Sequence, residues 1–378
     1  MQPRVTTAMN MELIKQVSEA EIRQTAFGIK SNKTPGADGM TGLFFQPYWH
    51  IVGLRVIKDV KKFFETAVLP HEWNFTQLCL LPKKVNPKCM KDLRPISLCS
   101  VMYKIVSRVM ASRLKCFLPE IVSETQGAFV SGRLISDNIL LAHEMVHGLR
   151  TNPRCKEEFM ALKIDMSKAY DRVEWCFLKE LFIRLGFEGK WIGWIMTCIS
   201  SISYSVLLNG QSHGFIKPKR GLRQGDPLSP FIFILCAEAL VHIMNKAEVE
   251  GRISGIKLSR DSLSIQKLLF ADDSLFMCRA TFREGTKLQR CLKLYGDASG
   301  QEINFQKSSI TFGGKIDPIM KRVLGEFLGI EQEGGTGKYL GLSECFTGSK
   351  SKMLEFITDN LKDRLNGWYA KSLSLGGK

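Results

Sequence analysis

The 378-residue sequence holds no Cys-x-x-Cys pair among its eleven cysteines, which are scattered from Cys79 to Cys345. That spacing argues against a zinc ribbon, and the odd number argues against a closed disulfide framework. A reducing compartment fits such usage. No apolar run approaches the roughly 18 to 20 residues needed to span a bilayer, because Lys, Arg or Glu interrupts each candidate within a turn or two. Residues 1–10 contain Arg4 with no apolar stretch behind it, so no secretory signal is read. No period of about 20 to 50 residues repeats, which excludes a solenoid. The expectation is a soluble intracellular protein, cytoplasmic or nuclear, with no membrane association. Acid is also scarce: 37 Asp and Glu face 53 Lys and Arg, a formal net charge of +16. An excess of that size points to a polyanionic partner.

What is present can bury a core. With 44% hydrophobic and 24% charged residues, wholesale disorder is excluded, and the length suits two or three compact units. Residues 11–30 read as one amphipathic helix, with Leu13, Val17, Ile22 and Ile29 on its apolar side. The turn-rich stretch 31–42 is a loop, and 50–67 is a second helix. An apolar strand at 78–81 is closed by Pro82. Residues 83–115 carry nine Lys or Arg against one acid, Asp92, and end in a helix with Val101, Ile105, Val109 and Leu114 inward.

Met160, Leu162 and Ile164 alternate with Ala161, Lys163 and Asp165, the period of a half-buried strand. Asp171 and Glu174 have the spacing of a capping pair for a helix marked by Trp175, Leu178, Phe182 and Leu185 and stopped at Gly186. Asn209-Gly210 is the turn of a hairpin. A buried helix follows from 231 to about 246. Two apolar runs, 264–270 and 274–279, flank Ala271-Asp272-Asp273 as a second hairpin. A helix near 284–298, a strand near 308–312 and a C-terminal helix around 350–366 complete an α+β pattern.

Three carboxylates are the sharpest chemical signal: Asp165 ends one strand, and Asp272 and Asp273 sit in a hairpin turn. If the strands are neighbours, the acids meet at one sheet edge, where divalent cations offset their repulsion. Two Mg²⁺ ions about 4 Å apart support in-line phosphoryl transfer. On spacing alone, a strand end and a solvated Asp-Asp turn explain the same residues.

The order of further segments separates the two readings. TPGADGM (34–40), LCLLPKK (78–84), KDLRPISL (91–98), QGAFVSGR (126–133), KIDMSKAYDRVEW (163–175), GLRQGDPLSP (221–230), FADD (270–273), GQEINFQKS (300–308) and YLG (339–341) follow one another along the chain. This series resembles the reverse transcriptases of LINE-type, non-LTR retrotransposons, especially the plant branch. The resemblance implies a right-hand polymerase fold, fingers and palm, with an antiparallel palm sheet backed by helices. It implies RNA-directed DNA synthesis on an RNA template and DNA primer from deoxynucleoside triphosphates.

Roles follow position by position from the resemblance. Asp165 and Asp272 would be the principal Mg²⁺ ligands, Asp273 the third acid, and the Met166 carbonyl an extra ligand. Tyr170 matches the steric gate that excludes a ribose 2′-hydroxyl. Gln224 matches the residue lying against the incoming nucleotide, and Gly225 permits close backbone approach. Lys83, Lys84 and Arg94 match residues that hold the triphosphate, and Lys307 matches a lysine that protonates pyrophosphate. Without the resemblance, Tyr170 reads as core, Lys83 and Arg94 as solvated charge, and Gln224 as a loop residue.

One motif competes. His143-Glu144-Met145-Val146-His147 is a literal HExxH on a helical stretch, the spacing of a zinc protease site. No third His follows within a dozen residues, and Leu140, Leu141 and Val146 supply an ordinary apolar side, so no zinc is expected. By domain, 1–75 reads as an N-terminal helical extension and the start of the fingers. Residues 76–345 read as fingers and palm, and 346–378 as the truncated opening of the thumb. Full-length LINE proteins carry an endonuclease and a longer thumb, so the chain reads as a fragment. The alternative function is a catalytically inactive, nucleic-acid-binding remnant of the same fold.

Overall fold

The computed structural model describes residues 1–257, 264–334, 338–340 and 342–343. In chain order the strands are β1 (Phe75–Pro82), β2 (Leu93–Leu98), β3 (Phe159–Ile164), β4 (Ser203–Leu208), β5 (Gln211–Ile216), β6 (Lys267–Phe270), β7 (Asp273–Arg279), β8 (Ser309–Phe312), β9 (Lys338–Tyr339) and β10 (Leu342–Ser343). They form a sheet of order β2-β1-β4-β5, a second of order β6-β7-β3-β8, and the short pair β9 and β10. Helices interleave with them, so the chain is a mixed α/β protein whose sheets contain antiparallel pairs. The helix expected at 350–366 and the segment 346–378 lie outside the described residues.

Two compact units emerge. One comprises 1–133, 166–246 and 290–303; the other comprises 134–165, 247–289 and the chain from 304 on. The first contains β1, β2, β4 and β5. β1 runs antiparallel to β2 and parallel to β4, and β4 returns as β5 through Asn209 and Gly210, both at positive φ (50° and 81°). Trp191, Trp194, Phe182, Tyr103 and Met110 fill the interior of this unit.

Two expectations for this unit need correction. The single helix at 11–30 is two helices, Thr7–Ile14 and Glu19–Phe27. Arg113 reaches into the break, donating to the carbonyls of Leu13 (2.9 Å) and Lys15 (2.7 Å), while the Ser18 hydroxyl caps the second helix. The acceptors that would continue the first helix are thus taken by a tertiary partner. Asp171 and Glu174 do not form a capping pair for the Trp175–Leu185 helix; Glu174 holds the N-cap position without a side-chain capping bond and accepts from Arg220, and Asp171 lies in the short helix Ala169–Arg172.

A third correction concerns hydropathy. The Ser229–Val249 helix is, by length and composition alone, apolar enough to cross a membrane. Its Glu238 is wholly buried on Arg4 at 2.7 Å, and Ile232, Leu235 and Val241 are buried, the pattern of a core helix.

The second unit carries the antiparallel sheet β6-β7-β3-β8. β3 is buried on both faces rather than one, with only Lys163 partly open. On one side Ala161, Leu275 and Met277 pack against Ala142, Met145 and Leu149 of the Ile135–Thr151 helix. On the other, Gly285 is close enough that an added Cβ would lie 3.8 Å from Met160 and 3.5 Å from Leu324. Asn138 ties the helix to the sheet, donating to the Leu269 carbonyl at 2.9 Å.

Candidate active site

The register of the second sheet brings the three acids to one end of it. β3 pairs with β7 so that Ile164 faces Ser274, and β6 pairs with β7 so that Phe270 faces Asp273. Asp165, the next residue after β3, therefore emerges beside the first residue of β7. Asp272 stands in the tight turn before it. That turn is made by Ala271 at φ 55°, a conformation a residue with a Cβ adopts at some cost.

Asp165 and Asp273 are half-buried and Asp272 is exposed. Burial raises the pKa of Asp165, helped by Asp272 and opposed by Lys307, Lys163 and a hydrogen bond from Asn304. Burial also raises Asp273, with Asp272 and Asp165 adding repulsion. The three carboxylates therefore sense one another, and a cation among them relieves both penalties. Among the described residues no three His, Cys, Asp or Glu side chains converge as a ready-made metal cage. The same repulsion disfavours closer approach of uncompensated carboxylates. As a donor set, hard carboxylate oxygens on a turn and a strand end fit a divalent ion of the Mg²⁺ class.

Sequence reasoning missed two residues here. Asn304 donates its backbone N–H to the Asp165 carbonyl at 2.8 Å, and its side chain lowers the Asp165 pKa against burial. Ser308 accepts from the Asp165 N–H at 3.2 Å. Both lie in the 300–308 segment, where only Lys307 drew notice. Lys307 is exposed and acts on Asp165 through its charge.

The remaining site candidates belong to the first unit. Met166 is half-buried and bridges to Ile303. Tyr170 stacks on Phe233 of the Ser229–Val249 helix, with ring centroids 4.7 Å apart and planes at 11°. Its carbonyl accepts from the Leu222 N–H at 2.7 Å, so the Tyr170 segment and the 221–225 loop are laced together. Gln224 reaches Asp171 through a long 3.5 Å contact. Gly225 adopts φ 103°, and an added Cβ would lie 3.3 Å from the Ser97 carbonyl oxygen. Only glycine takes that conformation readily. Arg94 and Lys83 are exposed on the β1–β2 hairpin, whereas Lys84 is bound to Asp92 at 2.9 Å. Lys84 and the Lys88 N–H hold the Asp92 carboxyl well below the usual aspartate range. In the second unit, His143, Glu144 and His147 all lie on the Ile135–Thr151 helix, with His143 half-buried.

Comparison with known proteins bears on these features. Residues 81–343 match the family model described as reverse transcriptase (RNA-dependent DNA polymerase). The chain is 29% identical to the transposon TX1 uncharacterized 149 kDa protein of Xenopus laevis, over 100% of this chain and 28% of that protein. It is 25% identical to a retrovirus-related Pol polyprotein from the type-1 retrotransposable element R2 of Popillia japonica, over 70% of this chain and 35% of the relative. A mitochondrial protein of Arabidopsis thaliana, AtMg01250, is 52% identical over 18% of this chain and 56% of its own length. The chain thus spans about a third or less of the two longer relatives. With the family model covering well over half of the sequence, in the segments that supply the three acids and the Gln224 loop, the chain belongs to the reverse transcriptase (RNA-dependent DNA polymerase) family.

Proposed function

We propose that the chain is the polymerase portion of a non-LTR retrotransposon protein, of plant-like type, and that it copies RNA into DNA. The observation that carries this reading is the register that puts Asp165, Asp272 and Asp273 at the same end of one antiparallel sheet. The sheet β6-β7-β3-β8 is the palm of a right-hand polymerase, and β2-β1-β4-β5 belongs to the fingers. Residues 1–75 are a helical extension leading into the fingers, and 76–345 are fingers and palm. The site of action is intracellular, in cytoplasm or nucleus.

In the reaction, a primer 3′-hydroxyl attacks the α-phosphate of a deoxynucleoside triphosphate. A new phosphodiester forms, the α–β bond breaks, and pyrophosphate leaves. Asp165, Asp272, Asp273 and the Met166 carbonyl would hold two Mg²⁺ ions, which supply activation of the hydroxyl and charge neutralisation at the leaving oxygen. Lys83, Lys84 and Arg94 engage the triphosphate, Lys84 after release from Asp92. Gln224 and Gly225 lie against the nucleotide, Tyr170 bars a 2′-hydroxyl, and Lys307 gives a proton to the departing pyrophosphate. The net charge of +16 draws template and primer phosphates, an attraction that falls steeply with salt.

Primer extension on an RNA template tests this. Incorporation that requires a divalent cation and drops on the order of 10³-fold in Asp272→Asn, with RNA binding retained, supports the polymerase. RNA binding with no incorporation under any divalent metal supports the inactive remnant instead.

A further inference from the structure

The loop carrying Gln224 and Gly225 is flanked by two charged residues that do not face solvent. Arg223 is 4% exposed and Asp226 is 3% exposed. Charged groups do not enter an interior without partners, so their contacts are informative. The Arg223 guanidinium lies over the ring of Tyr103, 3.6 Å from its centroid. It donates to the Cys198 carbonyl at 2.9 Å and to the Thr76 hydroxyl at a longer 3.4 Å. The Tyr103 hydroxyl donates to Asp226 Oδ2 at 3.0 Å. Asp226 also accepts from the Ser229 hydroxyl (2.9 Å) and the Leu228 N–H (3.2 Å).

One side chain of the Val101–Ile121 helix therefore meets both flanks of the loop, with its face on the cation and its hydroxyl on the carboxylate. Between the flanks, the Ser97 N–H donates to the Gln224 carbonyl at 2.8 Å. The backbone at 224–225 is thus held from three directions. Burying a cation and a carboxylate in this way adds little net stability over a well-packed apolar core. What a fully partnered network supplies is a single geometry.

We propose that Tyr103 is a positioning residue for nucleotide binding: its ring seats Arg223, its hydroxyl seats Asp226, and together they hold Gln224 and Gly225 at the height where they meet the incoming deoxynucleotide. The inference rests on the nucleotide-facing role proposed for the 224–225 loop.

The test is equilibrium binding of a mant-labelled deoxynucleotide, complementary to the template, to the full chain loaded with RNA template and DNA primer in Ca²⁺. Steady-state KM and kcat are measured in Mg²⁺ beside it. Tyr103→Phe keeps the ring and loses the hydroxyl. It should weaken nucleotide binding roughly threefold to tenfold, the scale of one lost hydrogen bond, and raise KM to match. Its kcat and template affinity should stay close to wild type, and its melting temperature should fall by only a few degrees, since Asp226 keeps the Ser229 hydroxyl and the Leu228 N–H. Asp226→Asn also disturbs the bond from the Ser229 hydroxyl, so it should bind at least as weakly as Tyr103→Phe, and the double variant should be no weaker than Asp226→Asn alone, because the Tyr103 hydroxyl contact is already lost there. Tyr103→Leu, which also loses the stacking face, should be weaker than Tyr103→Phe.

Unchanged nucleotide affinity in Tyr103→Phe overturns the proposal, as do strictly additive effects or a joint fall of kcat, template affinity and melting temperature. Gln224→Ala separates the two levels. Weakened binding there with none in Tyr103→Phe removes only the role of Tyr103. No change in Gln224→Ala, or no nucleotide binding by the wild-type chain, removes the nucleotide-facing loop and the Tyr103 role together.

Discussion

Asn304 is tied to Asp165 through its backbone N–H, donated to the Asp165 carbonyl at 2.8 Å, and its side chain holds the Asp165 pKa down against burial. The backbone contact fixes where the strand end points, and the side chain favours the ionised carboxylate. Loss of a residue that orients a metal-ligating carboxylate commonly costs about 10- to 100-fold in metal affinity or activity. Asn304→Ala keeps the backbone contact and removes the side chain. It should raise the Mg²⁺ concentration needed for half-maximal incorporation about tenfold, with primer–template affinity unchanged. An unaltered Mg²⁺ titration would show that the side chain has no such part.

Tyr170 is backed by Phe233 in a near-parallel stack, so its ring cannot swing aside without losing aromatic contact. A rigid ring can exclude a hydroxyl that a mobile one would accommodate. Tyr170→Ala should relax discrimination against ribonucleotides roughly 10- to 100-fold, the range expected when a pocket loses a steric barrier of this size. The measurement is the ratio of kcat/KM for a deoxynucleotide and its ribonucleotide counterpart. Sugar selectivity equal to wild type counts against the gate assignment.

The strand end and the hairpin that carry the candidate acids are legible in the sequence, and the reasons are local. Alternation over 160–165 marked β3, and an Asp-Asp pair between two apolar runs marked a hairpin. Asn209-Gly210 and Gly186 stood where positive φ was needed, and both adopt it. What escaped notice depends on distant partners. The break after Ile14 is made by Arg113, about a hundred residues away in sequence. Arg223 and Asp226 look like surface charge until Tyr103 is seen between them. Asn304 gives no signal, since an Asn between a helix and a strand reads as loop.

The same Arg113 supports a stability prediction. Its guanidinium is nearly buried, pairs with both oxygens of Glu21 at 2.8 Å, and holds the Leu13 and Lys15 carbonyls. Arg113→Ala strands Glu21 and two carbonyls at once. Because Glu21 is partly exposed, the cost falls below that of a fully buried pair, about 2 kcal/mol. Urea denaturation should show a lower midpoint with an unchanged slope. Arg113→Lys should recover only part of the loss, since an ammonium cannot match the fork.

Glu238 provides the pH dependence. Its carboxylate is wholly buried, with Arg4 at 2.7 Å and the Ser123 N–H at 3.0 Å. Burial nevertheless raises its pKa, outweighing Arg4, the Ser123 N–H and Arg133. A raised folded-state pKa means the native protein binds this proton more tightly than the unfolded chain does. The resulting stabilisation is complete below the unfolded value, about 4.3, and is lost as pH rises through the folded value. Glu238→Gln removes that titration while retaining a polar group of similar shape. Wild type should therefore compare best with Glu238→Gln at about pH 4 and lose ground toward neutrality, judged by paired urea midpoints up to about pH 8. Taking the difference cancels groups such as Asp165 and Asp273 that titrate in both proteins. A difference that stays flat, or that favours wild type increasingly as pH rises, would show that Arg4 and the Ser123 N–H outweigh burial.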